Sequence, residues 1–310
     1  MSMISGDVHA IPNQADSVRS VWKTVQAYVA LTKPKILVML LITGYCAMVV
    51  ANRGVPSAFL TAATLVGLAL SSAAGAVLNM WYDRDIDGLM RRTSSRPLPT
   101  GAVKPGHALV FGIGLEAASF ALLYGLVNPL TALLSFLGFV YYVLIYTIWL
   151  KRRTPQNIVI GGGAGAIPPL VGWAAVAGHL SWLAWLMFAV IFLWTPPHFW
   201  ALALYKNEDY VRAGVPMMPV VRGFRSTKRQ MFAYSVVLLT ATLIPSFTGT
   251  ATLVYTVPTV VLGGLFSMLA WRCLREPDTS MIWAKRLFLS SLLYLPVWFL
   301  AIVLGVRGML

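Results

Sequence analysis

Nine stretches of the chain are almost wholly apolar, at residues 36–52, 57–78, 107–125, 128–149, 157–177, 182–204, 231–248, 251–270 and 287–306. Each approaches the about 20 residues that an α-helix needs to cross the hydrocarbon of a bilayer. Backbone amides in lipid must be satisfied within the segment or by a closed barrel. The length of these runs and their lack of strict alternation favour helices. The pattern therefore predicts an all-α, polytopic membrane protein with nine transmembrane helices. Residues 18–34 read differently. Val21, Trp22, Val25 and Tyr28 are set against Arg19 and Lys23, the pattern of a helix lying in the membrane interface, and Pro34 then redirects the chain.

Two intervals between spans are longer than a turn requires, 79–106 and 205–230. Long connections in compact proteins are often lids or sites. The expected organisation is one integral membrane domain over 1–310. Residues 1–34 form a cytoplasmic tail and interfacial helix, and the two long loops form cytoplasmic caps. Residues 1–17 are polar and show no cleavable signal peptide.

Composition sharpens this picture. The chain has 310 residues, 58% hydrophobic and only 11% charged, against roughly 25% charged in soluble domains. A soluble globular chain and a disordered one are both excluded. The net charge is +14, a value often met in nucleic-acid binders. Here 22 of the 24 Lys and Arg residues fall on one side of the alternating spans. Only Arg53 and Arg307 fall on the other. That asymmetry places the N-terminus and both long loops in the cytoplasm and makes the bilayer, not nucleic acid, the partner. Cys46 and Cys273 fit neither a disulfide framework nor a metal motif.

Acids are scarce, ten in all, and half of them sit in the two long loops: Asp83, Asp85, Asp87, Glu208 and Asp209. Asn79, Asp83 and Asp87 are spaced by four and continue the end of the second span. On a helix they share one face at steps of about 6 Å. Two carboxylates and an amide oxygen suit Mg²⁺, which completes its shell with water and phosphate oxygens. Arg91, Arg92 and Arg96 follow. Acid–metal groups beside guanidiniums describe a diphosphate site. The plainer alternative is a solvated helix end with charges at i,i+4.

The string Asn79-x3-Asp83-x3-Asp87 resembles the first aspartate-rich motif of the UbiA superfamily of intramembrane prenyltransferases. The fuller strings resemble the branch of that family that farnesylates protoheme IX. They are Asp83-Arg-Asp-Ile-Asp87, Met90-Arg-Arg-Thr93 through Arg96-Pro-Leu98, and Tyr146-Thr-Ile-Trp-Leu-Lys-Arg152. Thr154-Pro-Gln-Asn-Ile-Val-Ile-Gly-Gly162, Pro168-Pro169, Trp194-Thr-Pro-Pro-His-Phe-Trp200 and Asp209-Tyr through Gly214-Val-Pro216 extend the likeness. It runs from about Lys33 to Arg229, and the Pro-Pro-His-Phe-Trp string is its most specific part. The resemblance implies nine helices around a central cavity, two aspartate motifs under cytoplasmic caps, and Mg²⁺-dependent transfer of farnesyl from farnesyl diphosphate to a vinyl group of protoheme IX, giving heme O. It implies Asn79, Asp83, Asp87 and Asp209 as metal ligands. Lys33, Arg92, Arg96, Lys151 and Arg152 would bind the diphosphate, and Asp83, Asp87 and Lys151 would be catalytic. A bacterial inner membrane and a downstream heme-modifying membrane enzyme as partner belong to the same expectation. In one respect the sequence departs from the pattern. Many members carry a second Asp-x3-Asp, whereas here Tyr205 stands four before Asp209, with Glu208 beside it.

Other residues admit two readings. His198, inside the sixth span, is either a heme contact or a histidine hydrogen-bonded to a neighbouring helix. Glu116, inside the third span, is a proton relay or a protonated, hydrogen-bonded carboxyl. Gly161, Gly162, Gly163 and Gly165 either pack helices closely or widen a cavity. At the level of function, a different aromatic or tetrapyrrole acceptor and a carrier of anionic amphiphiles are the competing readings. Carriers, however, place their sites near the midplane rather than under a cytoplasmic cap.

Overall fold

A computed structural model describes residues 14–306 of the chain, with side chains from residue 21 onward. Among the described residues there are nine helices long and apolar enough to cross a membrane. A first helix, α1 (Gln14–Leu31), precedes them. The spans are α2 (Pro34–Asn52), α3 (Ala58–Asp87), α4 (Pro105–Leu126), α5 (Pro129–Leu150), α6 (Asn157–Ala177) and α7 (Trp182–Tyr205). The short α8 (Asn207–Arg212) follows, and the last three spans are α9 (Met218–Phe247), α10 (Leu253–Arg275) and α11 (Ile282–Gly305). The protein is an integral membrane protein of the all-α class.

Local chemistry explains many of the ends. Pro34, Pro105 and Pro129 open α2, α4 and α5, where a missing amide hydrogen costs nothing. Ser57 accepts from the Leu60 amide at 3.3 Å to cap α3, and Asn128 accepts from the Thr131 amide at 2.8 Å to cap α5. The helix α6 breaks between Ala166 and Pro168, because proline has no donor for the ladder.

Three features differ from the pattern of apolar runs. The helix α3 continues past the apolar stretch through the whole acidic cluster to Asp87. The helix α9 begins at Met218, thirteen residues before its apolar run, and turns at Gly223, whose φ of 75° suits glycine. The last part of α5, Tyr141–Leu150, is wound as a π-helix.

The exposed residues Val21, Trp22, Val25 and Val29 line the free side of α1. Its other side seats Leu31, which is fully buried with Val77, Met80, Leu98 and Val103, and Tyr28, which meets Phe111 edge-on at 5.0 Å. This small apolar cluster pins both α1 and the 88–104 segment to the ends of α3 and α4. The contact between α2 and α6 is very close: a Cβ on Gly172 would strike the Gly44 carbonyl. A Cβ on Gly161 would strike the Tyr146 ring, and one on Gly162 would lie 2.8 Å from the Thr195 methyl. Gly161 and Gly162 therefore serve close packing.

Candidate active site

The last turns of α3 carry Asn79, Asp83 and Asp87 on one face, and all three are buried, with exposures of 3%, 0% and 2%. Carboxylates out of water need partners, and four elements supply them. Lys151, the first residue after α5, forms an ion pair with Asp83 Oδ2. Arg96, from the loop after α3, meets Asp87 Oδ2 at 2.6 Å. Lys33, at the joint between α1 and α2, donates from Nζ to Asn79 Oδ1 at 2.7 Å. Asn79 Nδ2 in turn donates to Asp83 Oδ2 at 2.8 Å and to Thr147 Oγ1 at 3.1 Å. The result is two adjoining groups: Lys33, Asn79, Thr147, Asp83 and Lys151 join the start of α2, α3 and α5, and Asp87 with Arg96 ties α3 to the first long loop.

The backbone explains why these cations arrive here. Lys33 sits in the left-handed region at φ 53°, a conformation uncommon for a non-glycine residue. The amine of Lys33 is lowered to about 7, first by loss of hydration and then by the nearby charges of Arg96 and Lys151. The wide winding of Tyr141–Leu150 ends with the Lys151 amide bonded to the Tyr146 carbonyl at 2.9 Å. Within it, Thr147 Oγ1 donates to the Tyr142 carbonyl at 2.9 Å. Single stretches of π winding concentrate at functional sites. Asn157, fully buried, holds the next turn by donating to the Lys151 carbonyl at 3.3 Å.

Arg152 behaves differently from Lys151. Its guanidinium grips Asp85 with two contacts of 2.7 Å, donates to the Tyr82 carbonyl at 3.0 Å and lies 4.7 Å from the Tyr82 ring. It reaches Asp83 Oδ1 at 3.5 Å. The bonds to Asp85 raise its pKa further, so it stays charged. Arg152 is thus a clamp between α3 and the end of α5 as much as a free cation.

The second cap contributes Tyr210, on α8, which is buried beside Arg92 and Asp209. Burial raises its phenol, Arg92 opposes that shift, and the hydroxyl stays protonated. Arg92 itself is exposed and Asp209 half-buried. Among the described residues, no group of three or more His, Cys, Asp or Glu side chains is arranged to hold a metal. Asp209 is therefore not gathered with Asp83 and Asp87 into one chelating set, while Asn79, Asp83 and Asp87 form a row. The donor chemistry of that row still fits a hard divalent ion. It offers only oxygens, two of the three groups are carboxylates, and the surrounding ammonium and guanidinium groups are those a diphosphate would need.

His198 lies deeper in α7. Its Nδ1 is 2.6 Å from Ser291 Oγ on α11. The ring stacks on Trp194 at 4.3 Å and on Phe288 at 5.0 Å. The tie to a neighbouring helix expected as one reading is therefore present at Nδ1, and Nε2 is the nitrogen left for a ligand. Glu116 is 6% exposed, and Ser71 is the polar side chain beside its carboxyl.

Thr147, Asn157, Thr93 and Tyr210 lie within the strings that carry the resemblance, but the sequence reading gives none of them a role. Thr93 donates to the Asp87 carbonyl at 2.8 Å, and each of the four supports a residue that the pattern does single out.

The sequence matches the UbiA prenyltransferase family over residues 40–292. The chain belongs to that family. Its relatives include a protoheme IX farnesyltransferase of Symbiobacterium thermophilum, 56% identical over 284 residues, covering 92% of this chain and 95% of that protein. A protoheme IX farnesyltransferase of Trichodesmium erythraeum is 47% identical over 299 residues, covering 96% and 89%. In fold the chain is similar to a digeranylgeranylglyceryl phosphate synthase, with a TM-score of 0.76 at 18% identity over 91% of this chain and 98% of that one. It also resembles a UbiA homologue of Archaeoglobus fulgidus bound to GPP and Mg²⁺, with a TM-score of 0.58 at 17% identity over 89% and 99%. The family and these relatives make the chain a membrane prenyltransferase.

Proposed function

We propose that this enzyme joins the farnesyl group of farnesyl diphosphate to a vinyl group of protoheme IX, producing heme O at the cytoplasmic face of a bacterial inner membrane. The observation that carries the reading is the buried row Asn79–Asp83–Asp87, surrounded by Lys33, Lys151, Arg152 and Arg96. Buried acids crowded this way are stable only among cations, and such a mixed set suits a ligand that brings both a divalent ion and phosphate oxygens.

Asn79, Asp83 and Asp87 would hold Mg²⁺, which when bound supplies positive charge to the leaving diphosphate; Asp209, the fourth ligand that the motif implies, stands outside that set in this structure. Lys151, Arg96, Lys33, Arg92 and Arg152 neutralise the oxygens freed when the allylic carbon–oxygen bond breaks. Fixed charges placed before the reaction lower the cost of that separation. The farnesyl carbocation takes the vinyl π electrons, and the new cation beside the pyrrole takes water and loses a proton. Diphosphate leaves, and the hydroxyethylfarnesyl chain remains. His198 Nε2 would contact the acceptor, at its iron or a propionate.

Mass spectrometry of products tests the proposal, using purified protein in detergent with protoheme, farnesyl diphosphate and Mg²⁺. Heme O is expected, without any gradient. No heme O, or turnover unchanged by complete EDTA chelation, overturns the reading. A His198→Ala protein with an unchanged heme absorption spectrum would remove the iron-ligand role and leave the transfer reading intact.

A further inference from the structure

Away from the aspartate row, the early turns of α9, the end of α10 and the loop at 276–278 enclose an open pocket of about 670 Å³. It lies on the same face of the membrane as the aspartates, because successive spans alternate in direction. None of its lining residues belongs to the groups described above.

Its charges are unevenly matched. Both local acids are already engaged. Glu276 accepts from the amides of Ile282 at 2.7 Å and Trp283 at 3.1 Å, and so caps α11. Asp278 accepts from Lys228 Nζ at 2.8 Å. Lys228 is 1% exposed and also donates to the Glu276 carbonyl at 2.8 Å, so it anchors the pocket floor. Arg225 and Arg229, one turn apart on α9, and Arg275 on α10 are exposed. Among the described residues none of the three has an acidic partner. Arg275 lies 4.6 Å from the Trp271 ring, a cation–π contact that holds its guanidinium over the pocket. Phe232 and Trp271 supply an apolar wall on the span side.

We propose that this pocket binds the phosphate headgroup of an anionic phospholipid of the surrounding leaflet. Three guanidiniums converge on a concave space at the level where hydrocarbon ends, and aromatic groups below them suit the acyl ester region. Basic pockets between transmembrane helices recognise phosphate headgroups in this way. The proposal does not depend on the acceptor or the prenyl donor.

Native mass spectrometry of the full chain, released from nanodiscs of phosphatidylcholine containing a minor fraction of phosphatidylglycerol, tests it. The unmodified protein should retain one phosphatidylglycerol in preference to phosphatidylcholine. The triple variant Arg225→Gln, Arg229→Gln, Arg275→Gln should bind it at least tenfold more weakly. Arg229→Gln alone leaves both the Lys228–Asp278 pair and the Arg275–Trp271 contact in place, and about threefold weakening is expected. Removing the same charge elsewhere on this face, with Arg212→Gln, Arg222→Gln and Lys285→Gln, should leave retention unchanged. Equal loss in that control, full retention by the triple variant, or displacement of the lipid by inorganic phosphate at matched concentration would each overturn the proposal.

Discussion

Asp83 shows how single residues are balanced in this site. It is fully buried and held by Lys151, Arg152 and Asn79. Removing one member of a buried pair strands the other, at a cost of about 3–5 kcal/mol. Asp83→Ala should therefore lose prenyl transfer by at least 10³-fold and also unfold at a lower temperature in detergent. Adding Lys151→Met should restore part of the melting temperature but none of the activity. A double variant no more stable than Asp83→Ala would refute the pairing. Lys33 makes a second prediction. Its amine titrates near 7 in the free protein, so at pH 8 it is largely neutral. An anionic diphosphate raises that value and draws in a proton. Affinity for farnesyl diphosphate should fall as pH rises from 7 to 9, and binding at pH 8 should take up protons, which calorimetry in buffers of different ionisation enthalpy measures. At this scale the sequence is informative about which residues matter and poor about how they are used. Lys151 and Arg96 stand out as phosphate ligands, yet in the folded chain they hold Asp83 and Asp87. The Arg152–Asp85 clamp joins positions 67 apart, a distance no local pattern reveals. Glu116 stands out as an acid in an apolar span, and the structure sets only Ser71 beside it, which fits either of its two readings.

At the scale of elements, the nine spans were readable because lipid leaves the backbone almost no alternative to helix. Their ends were not. Once α3 and α9 leave the hydrocarbon, polar residues continue a helix as well as apolar ones, so hydropathy stops reporting them. The four-residue spacing of Asn79, Asp83 and Asp87 still marks α3 as continuing through them, whereas no such spacing marks the start of α9 at Met218. Contacts between helices depend on small residues whose partners lie far along the chain. Gly172→Ala should push α2 from α6 and lower stability by about 1–3 kcal/mol, read as a fall in melting temperature. Gly165→Ala, with no atom within 4 Å of the added carbon, should be nearly silent. Equal effects at the two positions would refute close packing at Gly172.

For the whole molecule, the one-sided distribution of Lys and Arg predicts the insertion. In a background free of Cys46 and Cys273, Thr279→Cys should react with a membrane-impermeant maleimide only in inside-out vesicles. Val55→Cys should react only in right-side-out cells. The reverse pattern would move the aspartate row to the outer face and sink the cytoplasmic assignment. The first cap segment is tied to the bundle by the cluster around Leu98 and Val103, and the second meets the first where Tyr210 lies beside Arg92.

The winding of Tyr141–Leu150 has a geometric consequence for Lys151. A π-helix takes about 4.4 residues per turn against 3.6 in an α-helix. Over ten residues the two differ in phase by roughly half a revolution. Rewound as ordinary helix at the same length, α5 would still span the bilayer, but it would aim the Lys151 ammonium away from Asp83, toward the far side of its own axis. The slack coil works as a gear, delivering a cation to an acid that the regular pitch would miss.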